Sequence, residues 1–327
     1  MNRRRFLATL PAAVGMGGLV APGRAGASDA FPDRPLRLVV GFAPGGSSDT
    51  VARLIAERLA PRLGQPVLVE NKPGAGGRLG TTMVLRDPAD GYQLLLLASA
   101  HSVSAAISQT LPFDPVADLE WISTAATYGM AFAVRPDSPY RSLGEMIAAA
   151  KAKPKSLSYY SVGFGTGHHL LGEWLNAATG AEFTHVPYRG SAAAFTDFAG
   201  GRVDLMIDTM TFVYPQTLGR TVRPLAVTSR QVPAELADVP FSGDLVPGLA
   251  YESWLGLAMR KGTPQGIVER LRSEVAAVVS SDGFTREMQR LGANATPSTG
   301  PAFSDRVRRE IADFGRIIEA RNIPRQP

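Results

Sequence analysis

Four short turns are rich in glycine or other small residues, and each precedes a segment with a helical pattern. Three of them also contain hydroxyl, acidic or basic side chains. Helices begin with unpaired backbone N–H groups and a partial positive charge, and both favour an anion. Glycine admits positive φ and lets a ligand approach the backbone. The turns therefore predict a site for an anion such as a carboxylate. They span residues 43–49, 73–77, 163–167 and 188–190.

Single side chains in these turns allow either a binding role or a structural one. Asp49 either accepts a hydrogen bond from a ligand or water, or only stabilises the first turn of its helix. Thr166 places a hydroxyl at a helix start. His168 and His169 are adjacent and do not share a helix face, so they form no zinc pair. Four aromatic residues either line a pocket or belong to the core: Phe42, Tyr128, Phe164 and Trp254.

Nucleophilic catalysis is the rival chemistry. Its candidates are Ser47, Ser99 and Ser161 with a histidine as base, but no serine lies in a G-x-S-x-G nucleophile elbow. The run 163–167 looks like the start of a dinucleotide fingerprint, yet its sixth position is His168 instead of glycine or alanine. We therefore expect a binding protein with no catalytic residue, no metal and no cofactor.

The elements that position the turns follow an alternating pattern. Strand-like runs precede the turns, and amphipathic helices with a core-facing stripe follow them. In the first half we predict strands at 36–42, 66–70 and 92–98, and helices from 47 to 63 and at 78–86. In the second half we predict strands at 157–162, 182–186 and 203–208, and helices at 168–178 and 191–199.

This alternation predicts parallel βαβ units, in which helices cover the sheet, arranged as two α/β lobes. The region 112–137 reads as a loop-rich connection between the lobes. The last 75 or so residues read as mainly helical, with amphipathic helices at 267–279 and 303–320. We expect these helices to pack back over the first lobe.

Charge and cysteine content narrow the class of protein. The chain has 327 residues, with 34 basic and 29 acidic side chains. Four arginines and no acid lie in residues 1–27, so the rest is close to neutral and a nucleic-acid partner is not expected. The absence of cysteine excludes disulfides and thiolate metal sites.

The first 27 residues have the features of a signal peptide. Basic residues 3–5 precede a weakly apolar stretch at 6–20, and small residues at 25–27 form a cleavage motif. The apolar stretch is too short to span a bilayer. The signal is either of the twin-arginine type or an ordinary secretory signal with a basic head. We expect a mature protein that begins near Ser28, lies in the periplasm and is not embedded in a membrane.

The glycine turns belong to longer motifs that follow one another in a fixed order. The motifs are FAPGGSSD (42–49), VENKPGAGG (69–77), DGY (90–92), LPFDP (111–115), GFGTGHHL (163–170), HVPYRG (185–190) and GGRVD (200–204). In this order they resemble the Bug-type (TctC-like) solute-binding proteins of tripartite tricarboxylate transport systems. The resemblance spans nearly the whole chain after the leader.

The resemblance implies a two-lobed α/β fold like that of type II periplasmic binding proteins. Each lobe is a central sheet flanked by helices, and the ligand cleft lies between the lobes. We place lobe 1 at 28–129 plus 251–327 and lobe 2 at 130–250. The implied ligand is a small mono-, di- or tricarboxylate, and the implied partners are the permease subunits of a membrane transporter. A membrane sensor is an alternative partner, and we expect a monomer.

The family's ligand-binding positions can be carried over to this sequence. The expected ligand-binding residues are Phe42, Ala43, Gly45, Gly46, Ser47, Asp49, Gly76, Gly77, Arg78, Ser99, His101, Phe164, Thr166, His169 and Asp208. Two positions depart from the family pattern, because Arg78 and Ser104 stand where members often have asparagine. Arg78 either pairs with a second carboxylate of the ligand or points to solvent.

Overall fold

The secondary structure is taken from a computed structural model that describes residues 31–325, so the predicted signal peptide at 1–27 lies outside it. Residues 32–325 belong to one compact unit. The strands are β1 (Leu36–Val40), β2 (Val67–Asn71), β3 (Gln93–Ala98), β4 (Leu119–Val134), β5 (Ser158–Ser161), β6 (Thr184–Pro187), β7 (Leu205–Thr209), β8 (Arg223–Val227), β9 (Glu252–Arg260) and β10 (Asn294–Ala295). The helices are α1 (Ser47–Leu63), α2 (Arg78–Arg86), α3 (Ala100–Ile107), α4 (Leu143–Ala152), α5 (Gly167–Thr179), α6 (Ser191–Ala199), α7 (Met210–Leu218), α8 (Ser242–Leu245), α9 (Gln265–Val279), α10 (Asp282–Arg290) and α11 (Gly300–Ala320). Within 31–325, no helix is long and apolar enough to cross a bilayer.

Strand, turn and helix alternate in both halves of the chain, as predicted. In α1 the apolar stripe of Val51, Ile55 and Leu59 is buried, and Gly64 ends the helix with a φ of 69°. Strand β1 pairs in parallel with β2 and β3, and β5 pairs in parallel with β6 and β7. The predicted βαβ units are therefore confirmed.

The region 112–137 is not the loop-rich connection that the sequence predicted. Residues Leu119–Val134 form β4, a strand of 16 residues that is buried along almost its whole length. A strand with both faces buried shows a continuous run of small and apolar residues instead of alternation. The prediction was wrong for residues 119–134, whose small and apolar residues show no alternation that marks a half-buried strand.

Strand β4 belongs to both parts of the sheet, whose order is β2-β1-β3-β9-β4-β7-β5-β6. It pairs with β9 as far as Gly129, with β7 from Met130 and with β8 from Ala131. We call β1, β2, β3 and β9 the first strand group, and β5, β6, β7 and β8 the second. Helices flank both groups, and this is the two-lobed α/β fold that we expected.

The C-terminal segment is helical as predicted, and α11 packs on the first strand group but also reaches the second. In α11, Phe303 and Val307 join a core with Trp254 of the first group, whereas Phe314 and Ile318 join the core of the second. A helix of 21 residues is about 30 Å long, which is enough to reach both cores.

Candidate functional site

A cavity that is open to solvent on one side lies where the first residues of five helices meet. The starts of α1, α3, α5, α6 and α7 all contribute lining residues, and no lysine or arginine lines it in the described part of the chain. Hydroxyl groups supply much of the polar lining. We call this space the polar cavity. Its hydroxyl-bearing residues include Ser47, Ser99, Thr166, Ser191 and Thr209.

The loop before α1 is held in shape by Asp49, which lies just outside the polar cavity. Its carboxylate accepts hydrogen bonds from Gly45 N (3.0 Å), from Asn71 Nδ2 (3.0 Å) and from the Arg53 guanidinium (2.9 and 3.1 Å). Burial raises the pKa of Asp49, but the hydrogen bonds from Arg53, Gly45 and Asn71 outweigh it, so the pKa is lowered overall. Asp49 thus fixes the turn that presents Ser47 to the cavity.

Thr166 caps the start of α5 inside the polar cavity. Its hydroxyl donates to the carbonyl of Gly163 (2.7 Å) and accepts from the backbone N–H of His169 (3.4 Å). Such a cap satisfies one of the unpaired N–H groups at the helix start. The hydroxyl therefore orders the glycine turn as well as lining the cavity.

Asp208 is the centre of a buried hydrogen-bond network at the cavity wall. Its carboxylate is fully buried and accepts from His168 Nε2 (3.0 Å), Thr209 N (2.7 Å), Ser191 Oγ (3.2 Å) and Tyr160 Oη (2.9 Å). Burial and the charge of Asp208 raise the pKa of Tyr160, which therefore remains a donor. The network fixes three residues that line the cavity.

A second set of hydroxyls lines the cavity from β9 and the start of α3. Tyr251 donates to Ser99 Oγ (2.7 Å), and Ser99 shares a hydrogen bond with Ser253 (2.7 Å). Burial raises the pKa of Tyr251 and of Tyr128, so both keep their protons. All four residues line the cavity as neutral polar groups.

A separate cavity shares Phe42 and Ala98 with the polar cavity. Most of its lining is apolar, including Leu95, Leu111 and Phe113. We call it the apolar chamber. The predicted site residues Gly76, Gly77, Arg78 and His101 line this chamber instead of the polar cavity.

The two basic side chains of the apolar chamber already have protein partners. Arg78 donates from Nη1 to Ser108 Oγ (2.9 Å) and from Nε to the carbonyl of Ala75 (3.3 Å). His101 donates from Nε2 to the carbonyl of Pro115 (2.7 Å), and burial lowers the pKa of its ring. The chamber therefore offers a ligand mainly apolar surface.

His169 lies in a cluster of rings outside both cavities. Its ring centre is 5.3 Å from that of Phe164 and 4.7 Å from that of His185. Burial lowers the pKa of His169 to about 3, with a smaller contribution from His185, and burial lowers the pKa of His185 to about 4. Ser161 shares a hydrogen bond with His185 Nε2 (2.6 Å) but is fully buried and lines neither cavity.

The polar cavity brings together about half of the residues predicted for the site. These are Phe42, Ala43, Gly46, Ser47, Ser99, Thr166 and Asp208. Gly45, Asp49, Phe164 and His169 line neither cavity. Ligand contact by any of the predicted residues stays a prediction.

Sequence reasoning also missed several residues that line the polar cavity. They are His168, Ser191, Thr209, Tyr251 and Ser253, and Tyr128 was left open between pocket and core. Ser191 begins a helix that was predicted, so the helix-start argument would have found it, whereas α7, which follows Thr209, was not predicted. No comparable pattern marks Tyr251 and Ser253, because Ser253 lies in β9, which was not predicted, and Tyr251 directly precedes that strand.

Turns from the two strand groups touch beside the polar cavity. A Cβ placed on Gly76 would lie 2.7 Å from the carbonyl oxygen of Phe164, and one on Gly190 would lie 3.1 Å from Cβ of Ala43. Ser47 and Thr209 share a hydrogen bond across the same boundary. Glycine is thus needed where the turns meet.

Known proteins resemble this chain in both sequence and structure. Protein BugT of Bordetella pertussis is 32% identical over 316 residues, which cover 96% of this chain and 95% of BugT. The structure of periplasmic binding protein BugD is 32% identical with a TM-score of 0.86, and the match covers 90% of this chain and all of that one.

Two further solved structures contain named ligands. R. palustris Rpa4515 with adipate is 32% identical with a TM-score of 0.85, over 90% of this chain and 99% of that one. MatC from Rhodopseudomonas palustris with bound malate is 28% identical with a TM-score of 0.83, over 88% of this chain and all of that one.

A family model extends over most of the chain. The model, TctC, is described as the tripartite tricarboxylate transporter family receptor, and it matches residues 51–323. Members of this family are solute-binding proteins and not enzymes. The chain therefore belongs to the tripartite tricarboxylate transporter receptor family.

Proposed function

We propose that this protein captures a small carboxylate in the polar cavity and delivers it to a membrane transporter of the tripartite tricarboxylate type. The observation that carries the proposal is the meeting of five helix starts at one cavity without lysine or arginine. Helix starts and hydroxyls bind a carboxylate by hydrogen bonds and partial charges. Adipate in Rpa4515 and malate in MatC support the same class of ligand.

The proposed mechanism is closure of two lobes around the ligand. The lobes are residues 28–129 plus 251–327 and residues 130–250. The change of β4 from β9 to β7 between Gly129 and Met130 supports this boundary. A ligand favours the closed form only through contacts that the open form lacks. Ser47 on one side and Ser191 on the other supply such contacts.

A thermal-shift screen tests the proposal. The exported protein is freed of carried-over ligand and heated with acetate, succinate, adipate, citrate and benzoate. At about 1,000 times the dissociation constant, binding adds roughly 4 kcal/mol and raises the melting temperature by several degrees. The matched controls are the corresponding amides, which keep the shape of each acid and remove its charge.

The controls separate carboxylate binding from binding of any small molecule. We expect a shift from at least one acid and none from its amide. A cooperative melt that no acid shifts would contradict the proposal. Equal shifts from an acid and its amide would show that the cavity does not select a charge.

The transport partner and the periplasmic location need tests in cells. Deleting the gene should abolish uptake of the radiolabelled acid identified by the screen, and restoring it should restore uptake. Unchanged uptake with lost gene induction would instead indicate a membrane sensor. If export uses the twin-arginine route, replacing Arg3, Arg4 and Arg5 with lysine keeps the basic charge and should trap the precursor inside the cell.

A further inference from the structure

Helix α2 carries apolar side chains on its outer face, where a surface helix is usually polar. Leu79 and Met83 are 48% and 39% exposed, and they are four residues apart, so they share one face of the helix. Single exposed apolar side chains are common on proteins, but neighbouring ones mark surfaces that contact a partner. The outer face of α2 is therefore a candidate interaction surface.

A third exposed apolar side chain lies on the same face of the sheet. Leu68 of the edge strand β2 is 51% exposed and pairs with Arg37 of β1, which lies two residues before Val39. Val39 faces α2, because a Cβ placed on Gly80 would lie 3.5 Å from Val39 Cγ1. Paired residues of parallel strands point to the same face, and so do residues two apart in one strand. Leu68 therefore extends the apolar surface from α2 towards the edge of the sheet.

The other side of α2 borders a hollow that is rich in basic side chains. In the sheet order β2-β1-β3-β9, Leu68 lies on one side of α2, whereas Arg260 at the end of β9 lies on the other. We call this space the basic hollow. Its charged lining residues are Arg86, Asp118, Arg260 and Lys261.

The basic hollow keeps an excess of positive charge, because its cations are only partly neutralised by the protein. Arg86 is exposed and has no hydrogen bond or ion pair within residues 31–325. Arg260 donates to a backbone carbonyl and not to a carboxylate. Lys261 pairs with Glu120 (2.7 Å), but Glu120 also pairs with Arg272 (2.8 Å), so that group stays positive as well.

Apolar side chains next to a basic hollow fit a protein segment that combines apolar and acidic side chains. An anionic lipid surface fits less well, because three basic side chains are fewer than the roughly four to eight that mark a lipid-binding cluster. A flat bilayer also cannot enter a hollow, whereas a protruding acidic side chain can. Charge complementarity therefore favours a protein partner.

Helix α2 is connected to the turn that meets the opposite lobe. It begins at Arg78, directly after Gly76 and Gly77, and a Cβ on Gly76 would lie 2.7 Å from the carbonyl oxygen of Phe164. In the proposed closure these turns come together, so the position of α2 relative to the 163–167 turn differs between the open and closed forms. A partner that receives the ligand needs such a difference to distinguish the loaded protein from the empty one.

We propose that Leu68, the outer face of α2 and the basic hollow form one docking surface for the membrane subunits of the transporter. The occupant is a periplasmic segment of those subunits that carries apolar and acidic side chains. This inference rests on the proposed function, which supplies the membrane partner. Met83 provides apolar contact, and Arg86 provides the charge that guides association.

Uptake by cells that carry the transporter but lack this gene tests the docking surface with variants of the full chain. The substrate is whichever of acetate, succinate, adipate, citrate and benzoate the wild type binds. When the protein is limiting, Met83→Ser and Arg86→Glu should each lower the initial rate of uptake about five- to tenfold. Both side chains are exposed, so the melting temperature and the affinity for the acid, measured by calorimetry, should match those of the wild type.

Arg141→Glu is the matched control for the charge reversal. Arg141 precedes α4, is exposed, and its side chain has no partner among residues 31–325. This variant should support uptake at the rate of the wild type. A loss as large as that of Arg86→Glu would show that any added negative charge impairs transport, and it would overturn the inference.

Photochemical cross-linking identifies what covers the docking surface. The chain has no cysteine, so Met83→Cys creates a single attachment site for benzophenone maleimide. We expect a light-dependent adduct with a membrane subunit of the transporter. Leu245→Cys is the control, because Leu245 is 45% exposed but lies on α8, and it should give little of this adduct.

The outcomes separate this inference from the proposed function. If no acid binds the wild type, or if deleting the gene leaves uptake unchanged, the proposed function fails and the inference fails with it. If uptake requires the protein but Met83→Ser and Arg86→Glu support it like the wild type, only the inference fails. Adducts of Met83→Cys with lipid or with a second copy of this chain, or equal yields from both cysteine positions, would also overturn it.

Discussion

The polar cavity and the apolar chamber share Phe42 and Ala98 but differ in what surrounds them. Five helix starts meet at the first, whereas the start of α2, at Arg78, stands beside leucines in the second. A glycine turn before a helix therefore predicts an anion site only where several helix starts converge. A single helix start, such as that of α2, whose side chain is already bonded within the protein, shapes the fold instead of binding an anion.

The largest effect should follow from removing Asp208, which organises the polar cavity. Asp208→Ala leaves the donors of His168, Ser191 and Tyr160 without their buried acceptor. We expect a loss of about 3 kcal/mol in the free energy of unfolding and loss of carboxylate binding. Denaturant unfolding and calorimetry measure the two effects.

The matched control for Asp208 is an exposed carboxylate. Asp305→Ala removes a surface ion pair with Arg308 (2.6 Å) and should cost less than about 1 kcal/mol. Unfolding of both variants at the same denaturant concentration would mean that the network around Asp208 does not support the fold.

The next largest effect should come from replacing Gly76. This residue lines the apolar chamber and also contacts the turn at 163–167. Gly76 and Gly64 have φ values of 64° and 69°, so alanine costs each about 1 to 2 kcal/mol of backbone strain. A Cβ on Gly76 meets the carbonyl of Phe164, whereas one on Gly64 meets nothing within 4 Å. Gly76→Ala should weaken carboxylate binding at least tenfold, as measured by calorimetry, and Gly64→Ala should leave it unchanged. Equal affinities of Gly76→Ala and the wild type would show that the contact between Gly76 and Phe164 is not needed for closure around the ligand.

An effect of moderate size should come from His169 and His185, which lie outside both cavities. Their pKa values of about 3 and 4 are below the usual value of 6.5, because burial disfavours the charged ring. Between pH 6.5 and 4 the unfolded chain binds more protons than the folded chain, so stability falls as pH falls. His169 alone contributes up to about 1.4 kcal/mol per pH unit.

Thermal melts from pH 7.5 to 4.5 check this dependence. Replacing both histidines with phenylalanine should make the loss of stability on acidification smaller than in the wild type. His101, whose pKa burial also lowers, remains in the variant and keeps part of the slope. If stability fell with pH equally in the wild type and the variant, His169 and His185 would not be the cause of the loss.

The smallest effect should come from Arg78 in the apolar chamber. Its guanidinium is bonded to Ser108 and to the carbonyl of Ala75. Arg78→Ala should change the affinity for monocarboxylates and dicarboxylates alike by less than about threefold. A selective loss of about 2 to 5 kcal/mol for dicarboxylates would instead place Arg78 at a second ligand carboxylate.

The sequence predicted the repeating units of the fold because strand, glycine turn and amphipathic helix are local patterns. It did not reveal β4, which is buried on both faces and lacks alternation. It also favoured His169 over His168, although both are buried at the start of α5. Which of two neighbouring buried side chains faces a cavity depends on how the helix packs, and local spacing does not encode that rotation.

The place of β9 in the sheet has a consequence for the order of folding. Because β9 lies between β3 and β4, the sheet of the first group stays incomplete until residue 260 has left the ribosome. Pairings between segments so distant in sequence form slowly. The strands of the second group all precede residue 228. They can therefore assemble while the part of β4 that pairs with β9 is still unpaired. The first part of the chain to be synthesised is therefore among the last to complete its sheet.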